Sequence, residues 1–484
     1  MLGAWNFVLL SFSRFFFSPV SRPQILFLAH RVPFPPNRGD RIRSFHLIAF
    51  LAERADVHLA FLAQEGVKAE TIRALQRHAA RVAGVPLARA GRWVRAAWSL
   101  ATGRTATEGL FASAGLRRTL QAWAARTRFD AVVVYCSSMA QYLDVPGLDG
   151  VPAIIDLVDV DSQKWFDYAS IPPRPAPRSP LPPLPLRRFS LSPLRLLFRL
   201  EGRRLRRLER ALADRAFAIT LVSQREADLY RSFCPATHVY AIPNGVDLDY
   251  FRPWGEGNEA ASGPVGERVG ARGPRRQDVP VSFSSPPTDR RPPAIVFVGA
   301  LDYRANLDGL AWFCRHVWPE VRRRLPEATF RLVGSRPGSA ARRIGRIEGV
   351  ELVGEVPDVR PYLADATVVV APLRVARGIQ NKVLEALAMQ KAVVASPQAL
   401  EGLAVEPGEH LLSADTPEAW VNSIIDLFQR PDLGARLAAA GRRYVEEHYD
   451  WNLQLNRLAS LPGLCDLLPR VNGQPVKSPA GARG

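Results

Sequence analysis

Cysteine is scarce in this sequence of 484 residues: Cys136, Cys234, Cys314 and Cys465 lie far apart, and no C-x-x-C pair occurs. That spacing speaks against a disulfide framework or a structural zinc site and fits a reducing cytoplasm. A G-x-G-x-x-G is also missing, which removes the NAD-type fingerprint. No window approaches the roughly 20 apolar residues of a membrane-spanning helix. The opening "MLGAWNFVLLSFSRFFFSPV" is apolar but broken by Asn6, Ser11, Ser13 and Arg14, and it lacks the basic start and cleavage site of a secretory signal. Residues 1–23 therefore read as an apolar extension. Acids are under-supplied, 46 Asp and Glu against 64 Lys and Arg, giving a net charge of +18. Such an excess favours an anionic partner: nucleic acid, an acidic membrane face or a phosphorylated ligand. It does not choose among them.

What is present is a βα rhythm, in two halves. "ILFLAH", "DVHLAFLAQ", "FDAVVVYCSS", "PAIIDLVDV" and "AFAITLVS" are short apolar runs separated by helical periods. Runs of this kind suit parallel strands buried on both faces. The rhythm resumes with "PAIVFVGAL", "ATFRLVGS", "VELVGEV", "ATVVVAPL" and "KAVVAS". The chain is too long for one ordinary core. Two doubly wound, Rossmann-like α/β domains are expected, 24–253 and 294–455, with the carboxyl ends of both sheets facing a shared cleft. Between them, 254–293 is rich in Gly, Pro, Arg and Ser and reads as a disordered linker or insertion; 456–484 reads as a tail. Residues 171–193 form a proline-rich insertion, and a basic amphipathic helix is expected from about Leu194. Residues 187–210 hold nine arginines against two glutamates. That stretch suits an anionic inner-membrane surface; a plain surface helix is the competing reading. Nucleic acid is not expected, because aromatics are too sparse among the arginines.

Three constellations carry chemistry. In the loop after the first strand, Gly39 allows close backbone approach to a ligand, and a helix starting near Asp40 or Arg41 offers free N–H groups. Beside it, His46 falls on the same side. In "IIDLVDVDSQKW", Asp156, Asp159 and Asp161 sit at or after a strand's carboxyl end and suit acceptor hydroxyls or, less readily, a divalent metal through the D-x-D of Asp159 and Asp161; Asp161 with Ser162 also suits the cap of a helix starting at Gln163. In "VARGIQNKVLEALAM", Lys382 and Glu385 share a helix face at i and i+3. One reading is a surface ion pair worth a few tenths of a kcal/mol. The other is a diphosphate cradle of Gly378 and Ile379 N–H groups with Lys382 as counter-charge, and Glu385 for ribose hydroxyls. No metal site and no cofactor are expected, and no nucleophile–base pair is evident.

Taken in order, "FVGALDYRANLDGLAWF", "IPNGVDLDYFRP" and "APLRVARGIQNKVLEALAM…AVVAS" resemble the retaining GT-B glycosyltransferases of family 4 over most of residues 24–455. "RVPFPPNRGDRIRSFHLIAFLA", "YCSSMAQYL" and "DLVDVDSQKWFDYA" are similar to the sugar transferases of PEP-CTERM/exosortase systems in bacterial exopolysaccharide clusters. The resemblance implies a GT-B fold, a nucleotide-sugar donor, metal-independent transfer to a lipid-linked or polysaccharide acceptor, and a place in the cytoplasm or peripheral to the inner membrane. It matches Glu385 to a ribose-holding glutamate and Gly39 to a glycine at the donor phosphate. Arg377 stands where the family has a second glutamate, eight residues earlier. The family's diphosphate pair of arginine and lysine is altered, leaving Arg304 and Lys382 as its counterparts. Asp40, Arg41, His46, Asp159 and Asp161 are then acceptor-side candidates. A non-catalytic, membrane-associated nucleotide-binding scaffold is the alternative.

Overall fold

The computed structural model describes residues 22–36, 39–64, 66–88, 90–170, 193–236, 238–253, 294–376, 378–461 and 464–468. The stretches where the apolar extension, the proline-rich insertion, the linker and most of the tail are expected lie outside these, as does Arg377.

Two parallel sheets form, each from the apolar runs. The first contains β1 (Gln24–Ala29), β2 (Asp56–Ala63), β3 (Arg81–Pro86), β4 (Ala131–Tyr135), β5 (Ala153–Val158), β6 (Ala216–Leu221) and β7 (Val239–Ala241), in the order β3-β2-β1-β4-β5-β6-β7. The second contains β8 (Ala294–Val298), β9 (Thr329–Val333), β10 (Val350–Gly354), β11 (Val368–Ala371), β12 (Val393–Ala395) and β13 (Leu412–Ser413), in the order β10-β9-β8-β11-β12-β13. Central strands such as β1, β4, β8 and β11 are buried on both faces by helices, which is why they read as unbroken apolar runs. Strand order reverses between β1 and β4 in one sheet and between β8 and β11 in the other. Loops leaving the carboxyl ends at these points diverge and leave a crevice. Two Rossmann-like domains face a cleft, the GT-B arrangement.

The chain crosses between the halves twice, and the crossings touch. Ile242 and Trp451 belong to the first core, Val246 and Tyr449 to the second. The Val246 N–H donates to the Tyr449 carbonyl at 2.7 Å, and Val246 pairs with Asp450 as a parallel bridge. A Cβ on Gly245 would stand 2.7 Å from the Trp451 backbone, so glycine is needed for this approach. Beyond the second crossing, the helices Trp451–Ala459 and Leu464–Leu467 pack Leu455, Leu458, Leu461 and Leu464 into the first core. Helix at 456–459 and 464–467 thus stands where the start of the tail is expected, its leucines packed into the first core beside the helix Gly39–Ala52.

The basic helix expected from about Leu194 spans Pro193–Arg215. Its buried stripe contains Glu201, Leu205, Glu209 and Leu212. Both carboxylates are spent on other helix starts. Glu201 accepts from the N–H groups of Ala106 and Thr107 at 2.7 and 2.9 Å. Glu209 accepts from the N–H and Oγ of Ser162 at 3.0 and 2.5 Å. Burial pushes the Glu209 carboxyl up to about 8, against the pull of the Ser162 hydrogen bonds. The helix of "DVDSQKW" begins at Asp161, not Gln163, and its capping acceptor is this distant glutamate.

Candidate functional site

Two helix starts meet across the cleft. The helix Gly39–Ala52 leaves β1 through the loop at the first switch point; the helix Asn381–Ala388 leaves β11 at the second. A Cβ added to Gly39 would lie 3.9 Å from Asn381 Nδ2, so the two N-terminal turns face each other at contact distance. The positive ends of two helix dipoles therefore converge on one place.

Lys382 and Glu385 leave the second helix in different directions. Lys382 Nζ donates to Asn306 Oδ1 at 2.7 Å and lies 4.6 Å from the centre of the Phe297 ring, under the carboxyl end of β8. Burial lowers its pKa to about 7, with Glu385 opposing the drop. Glu385 lines a groove with Pro36, His46, Gly245, Asp247 and Tyr250, contributed by both domains. His46 is fixed there by stacking on Trp451, with ring centres 4.4 Å apart at 14°. Arg304 opens the helix Arg304–His316 and is exposed. Two residues on, Asn306 is 4% exposed and holds Lys382.

Gly378 adopts φ 59° in the turn before the helix. A side chain there would be strained and would also collide with Asp159 Oδ1 at 2.6 Å and Val222 at 3.0 Å, both from the other domain. Gly402 closes the other side, where a Cβ would lie 2.5 Å from the Gly378 carbonyl. Ile379 is 8% exposed, its side chain in the second core. The turn is thus a backbone surface pressed against the carboxyl end of β5. Val158, the last residue of β5, has φ 69°, a strained value for a β-branched residue, and it aims the following Asp159 at the turn.

The remaining acceptor-side candidates are already engaged. Asp40 Oδ2 accepts from Arg31 Nη1 at 3.0 Å, and its carbonyl accepts from the Tyr135 hydroxyl at 2.9 Å. Arg41 is the third residue of its helix and is partly buried. Asp161 accepts from Ser137 Oγ at 2.6 Å; burial raises its pKa, opposed by that hydroxyl and by Lys164. Burial lowers the Lys164 pKa, but Asp161, Tyr168, Tyr303 and Asp159 together reverse the sign. Asp156 is not open to a ligand. It is 2% exposed, and its Oδ2 accepts from Arg43 Nε at 2.7 Å.

Arg43 is a residue that periodicity missed. It is 1% exposed, and its Nη1 also donates to the Ile242 carbonyl at 2.8 Å and to Asn244 Oδ1 at 3.1 Å. Asn244 Nδ2 then donates to Asn381 Oδ1 at 3.2 Å. One chain of hydrogen bonds runs from the first core to the opening residue of the cleft helix. Only the Pro-Asn-Gly turn of "IPNGVDLDYFRP" signalled any of it.

Residues 292–430 match the family model described as glycosyl transferases group 1. A curated relative, the GDP-mannose-dependent alpha-(1-6)-phosphatidylinositol monomannoside mannosyltransferase of Mycolicibacterium smegmatis, is 26% identical over 268 residues, covering 52% of this chain and 63% of that protein. The chain therefore spans less than two thirds of that relative's length. Sucrose-phosphate synthase from Thermosynechococcus elongatus superposes with a TM-score of 0.59 at 17% identity, covering 91% of this chain and 98% of the other. Anabaena HepE in complex with UDP and glucose gives 0.57 at 13%, covering 90% and 98%. WaaG, a glycosyltransferase involved in lipopolysaccharide biosynthesis, gives 0.58 at 15%, covering 91% and 100%. These likenesses establish the fold. Together with the family match, it supports glycosyltransferase activity. Among the described residues no group of three or more His, Cys, Asp or Glu could hold a metal ion, and no helix is long and apolar enough to cross a membrane.

Proposed function

We propose that the chain is a retaining glycosyltransferase that moves a sugar from a nucleotide-diphosphate donor to a lipid-linked or polysaccharide acceptor. The observation that carries this is the meeting of two helix starts, at Gly39 and Asn381, with Lys382 beside them. Departure of a nucleoside diphosphate builds negative charge, and preorganised N–H donors with a cation stabilise it where water is displaced. In this reading Gly39, Gly378 and Ile379 give the diphosphate close backbone approach. Lys382 supplies the charge, with Arg304 at the start of its helix and, by the resemblance, Arg377 as further catalytic candidates. Glu385, in the groove, accepts from the ribose hydroxyls. The leaving phosphate takes the acceptor proton, so no carboxylate nucleophile is required. Asp40, Arg41, His46, Asp159 and Asp161 border the acceptor side.

The motifs shared with PEP-CTERM/exosortase-associated transferases favour exopolysaccharide synthesis at the cytoplasmic face of the inner membrane. Calorimetry with UDP, GDP and ADP tests it. One nucleotide should bind in the micromolar range. Glu385→Ala and Lys382→Ala should each weaken it by about tenfold or more, the loss of a charge-assisted hydrogen bond. No binding of any nucleotide would sink the reading. GDP-mannose and UDP-glucose, suggested by the relatives named above, head the donor screen that follows.

A further inference from the structure

The helix Arg92–Ala101 is amphipathic the wrong way round for a globular domain. On a helical projection Trp93, Val94, Ala97, Trp98 and Ala101 fall within one face. That face points to solvent: Trp93, Val94 and Trp98 are 67%, 71% and 72% exposed. The helix packs instead through its small residues, Ala96 and Ser99, which are buried. They meet Gly109 so closely that a Cβ there would lie 2.7 Å from Ser99 Cβ and 2.9 Å from Ala96 Cα. Two tryptophans are thus held outward by a contact built from an alanine, a serine and a glycine.

What surrounds this face says what covers it. The helix contains no acid, and Arg92 lies over the Trp93 ring at 5.0 Å. Its carboxyl end abuts the middle of the helix Pro193–Arg215, where Arg204 donates to the carbonyls of Leu100 and Arg104. On that second helix Arg199, Arg203 and Arg207 form an exposed row at i, i+4 and i+8. Leu196, Leu197 and Leu200 are exposed beside them, at 61%, 43% and 39%. The helix's two glutamates, Glu201 and Glu209, are buried at 1% and 0%, so neither offsets the row. Outward tryptophan, outward leucine and an arginine row, faced on its own helix by one exposed acid, Asp214, near the helix end, match the headgroup region of an anionic bilayer, where indoles sit at the boundary and each basic residue adds attraction.

We propose that the helices Arg92–Ala101 and Pro193–Arg215 form one docking surface for an anionic lipid bilayer, with Trp93, Val94 and Trp98 entering the interface. This deepens the lipid-linked branch of the proposed function and rests on it, because such an acceptor is carried by the leaflet.

The test is flotation of the full chain with phosphatidylcholine vesicles made with and without phosphatidylglycerol. Wild type should float with the anionic vesicles and not with the neutral ones. Trp93→Ser combined with Trp98→Ser should lower binding by about tenfold or more, as should Arg203→Glu with Arg207→Glu. Brominated lipid should quench wild-type tryptophan fluorescence more than that of the tryptophan variant. Equal flotation of wild type and both variants overturns the proposal. So does a wild-type dimer that the tryptophan variant splits, which assigns the face to a second copy. So does equal acrylamide quenching of wild type and tryptophan variant without vesicles, which assigns it to another segment of this chain. Nucleotide binding in the same samples separates the two proposals: kept with flotation lost, only docking fails; absent with flotation kept, only the transferase reading fails.

Discussion

Arg43 and Lys382 are both cations at the cleft, one in each domain, and they are handled in opposite ways. The guanidinium of Arg43 is cancelled by the Asp156 carboxylate and fixed by two further acceptors. Lys382 has an amide oxygen and a ring face, with Glu385 only partly offsetting its burial. The first is a charge the fold has spent; it sets backbone positions through Asn244 and Asn381. The second is a charge the fold has left to be satisfied by something else. Burial alone does not mark a functional group, since both are buried. What separates them is whether the protein supplies the counter-charge.

Breaking the cancelled pair should have the largest effect. Arg43→Met leaves Asp156 buried without its partner and should cost about 3–5 kcal/mol in urea unfolding; Arg43→Met with Asp156→Leu should recover most of it. An Arg43→Met protein of wild-type stability would erase the contrast.

Lys382 should respond to pH, with opposite signs in the free and bound states. Its pKa falls from 10.5 to about 7 on folding, so between those values the unfolded chain binds more protons. Stability of the free protein should therefore rise as pH goes from about 7 towards 10.5, and Lys382→Met should lose that slope. A bound diphosphate favours the charged form, so nucleotide affinity should fall as pH rises above 7. Calorimetry in buffers of different ionisation enthalpy should show proton uptake on binding, absent in Lys382→Met.

Glu209 is the anionic counterpart, a buried carboxylate with Arg206 no nearer than 4.0 Å. Its pKa rises from 4.5 to about 8 on folding, so the folded chain binds more protons across that window. Stability from this group should fall as pH rises from 4.5 to 8. Glu209→Gln should flatten that component while changing stability at pH 6 by less than about 1 kcal/mol. An unchanged pH profile would show that the carboxyl titrates normally.

Much of this was legible because burial on both faces leaves a mark in the chain. The runs that became β1, β2, β4, β5 and β6, and their counterparts in the second half, are mainly apolar and bounded by polar turns. β3, β7 and β13 escaped notice as sheet edges: β3 is half exposed, and β7 and β13 have three and two residues. The pairing of Lys382 and Glu385 on one helix followed from spacing; their divergence did not, since it depends on Asn306 and on the groove wall from the other domain. Arg43 had no chance of being read, because an arginine within a helical period looks solvated and its partners lie 113 and 201 residues away. The outward face of Arg92–Ala101 was hidden for the converse reason: apolar periodicity shows that a face exists and is silent on which way it turns.

The paired crossings at Val246 and Tyr449 have a mechanical meaning. Two covalent links side by side, laced together at Gly245, behave as a single hinge pin rather than two tethers. Cleft opening is then a rotation about that line, in which residues far from it move most. Gly378 against Asp159 and Arg225 against Glu401 are the contacts between the halves that such a swing would part, while Asn244 and Asn381 could stay in register near the axis. The polar relay that begins at Arg43 then doubles as the bearing on which the two halves turn.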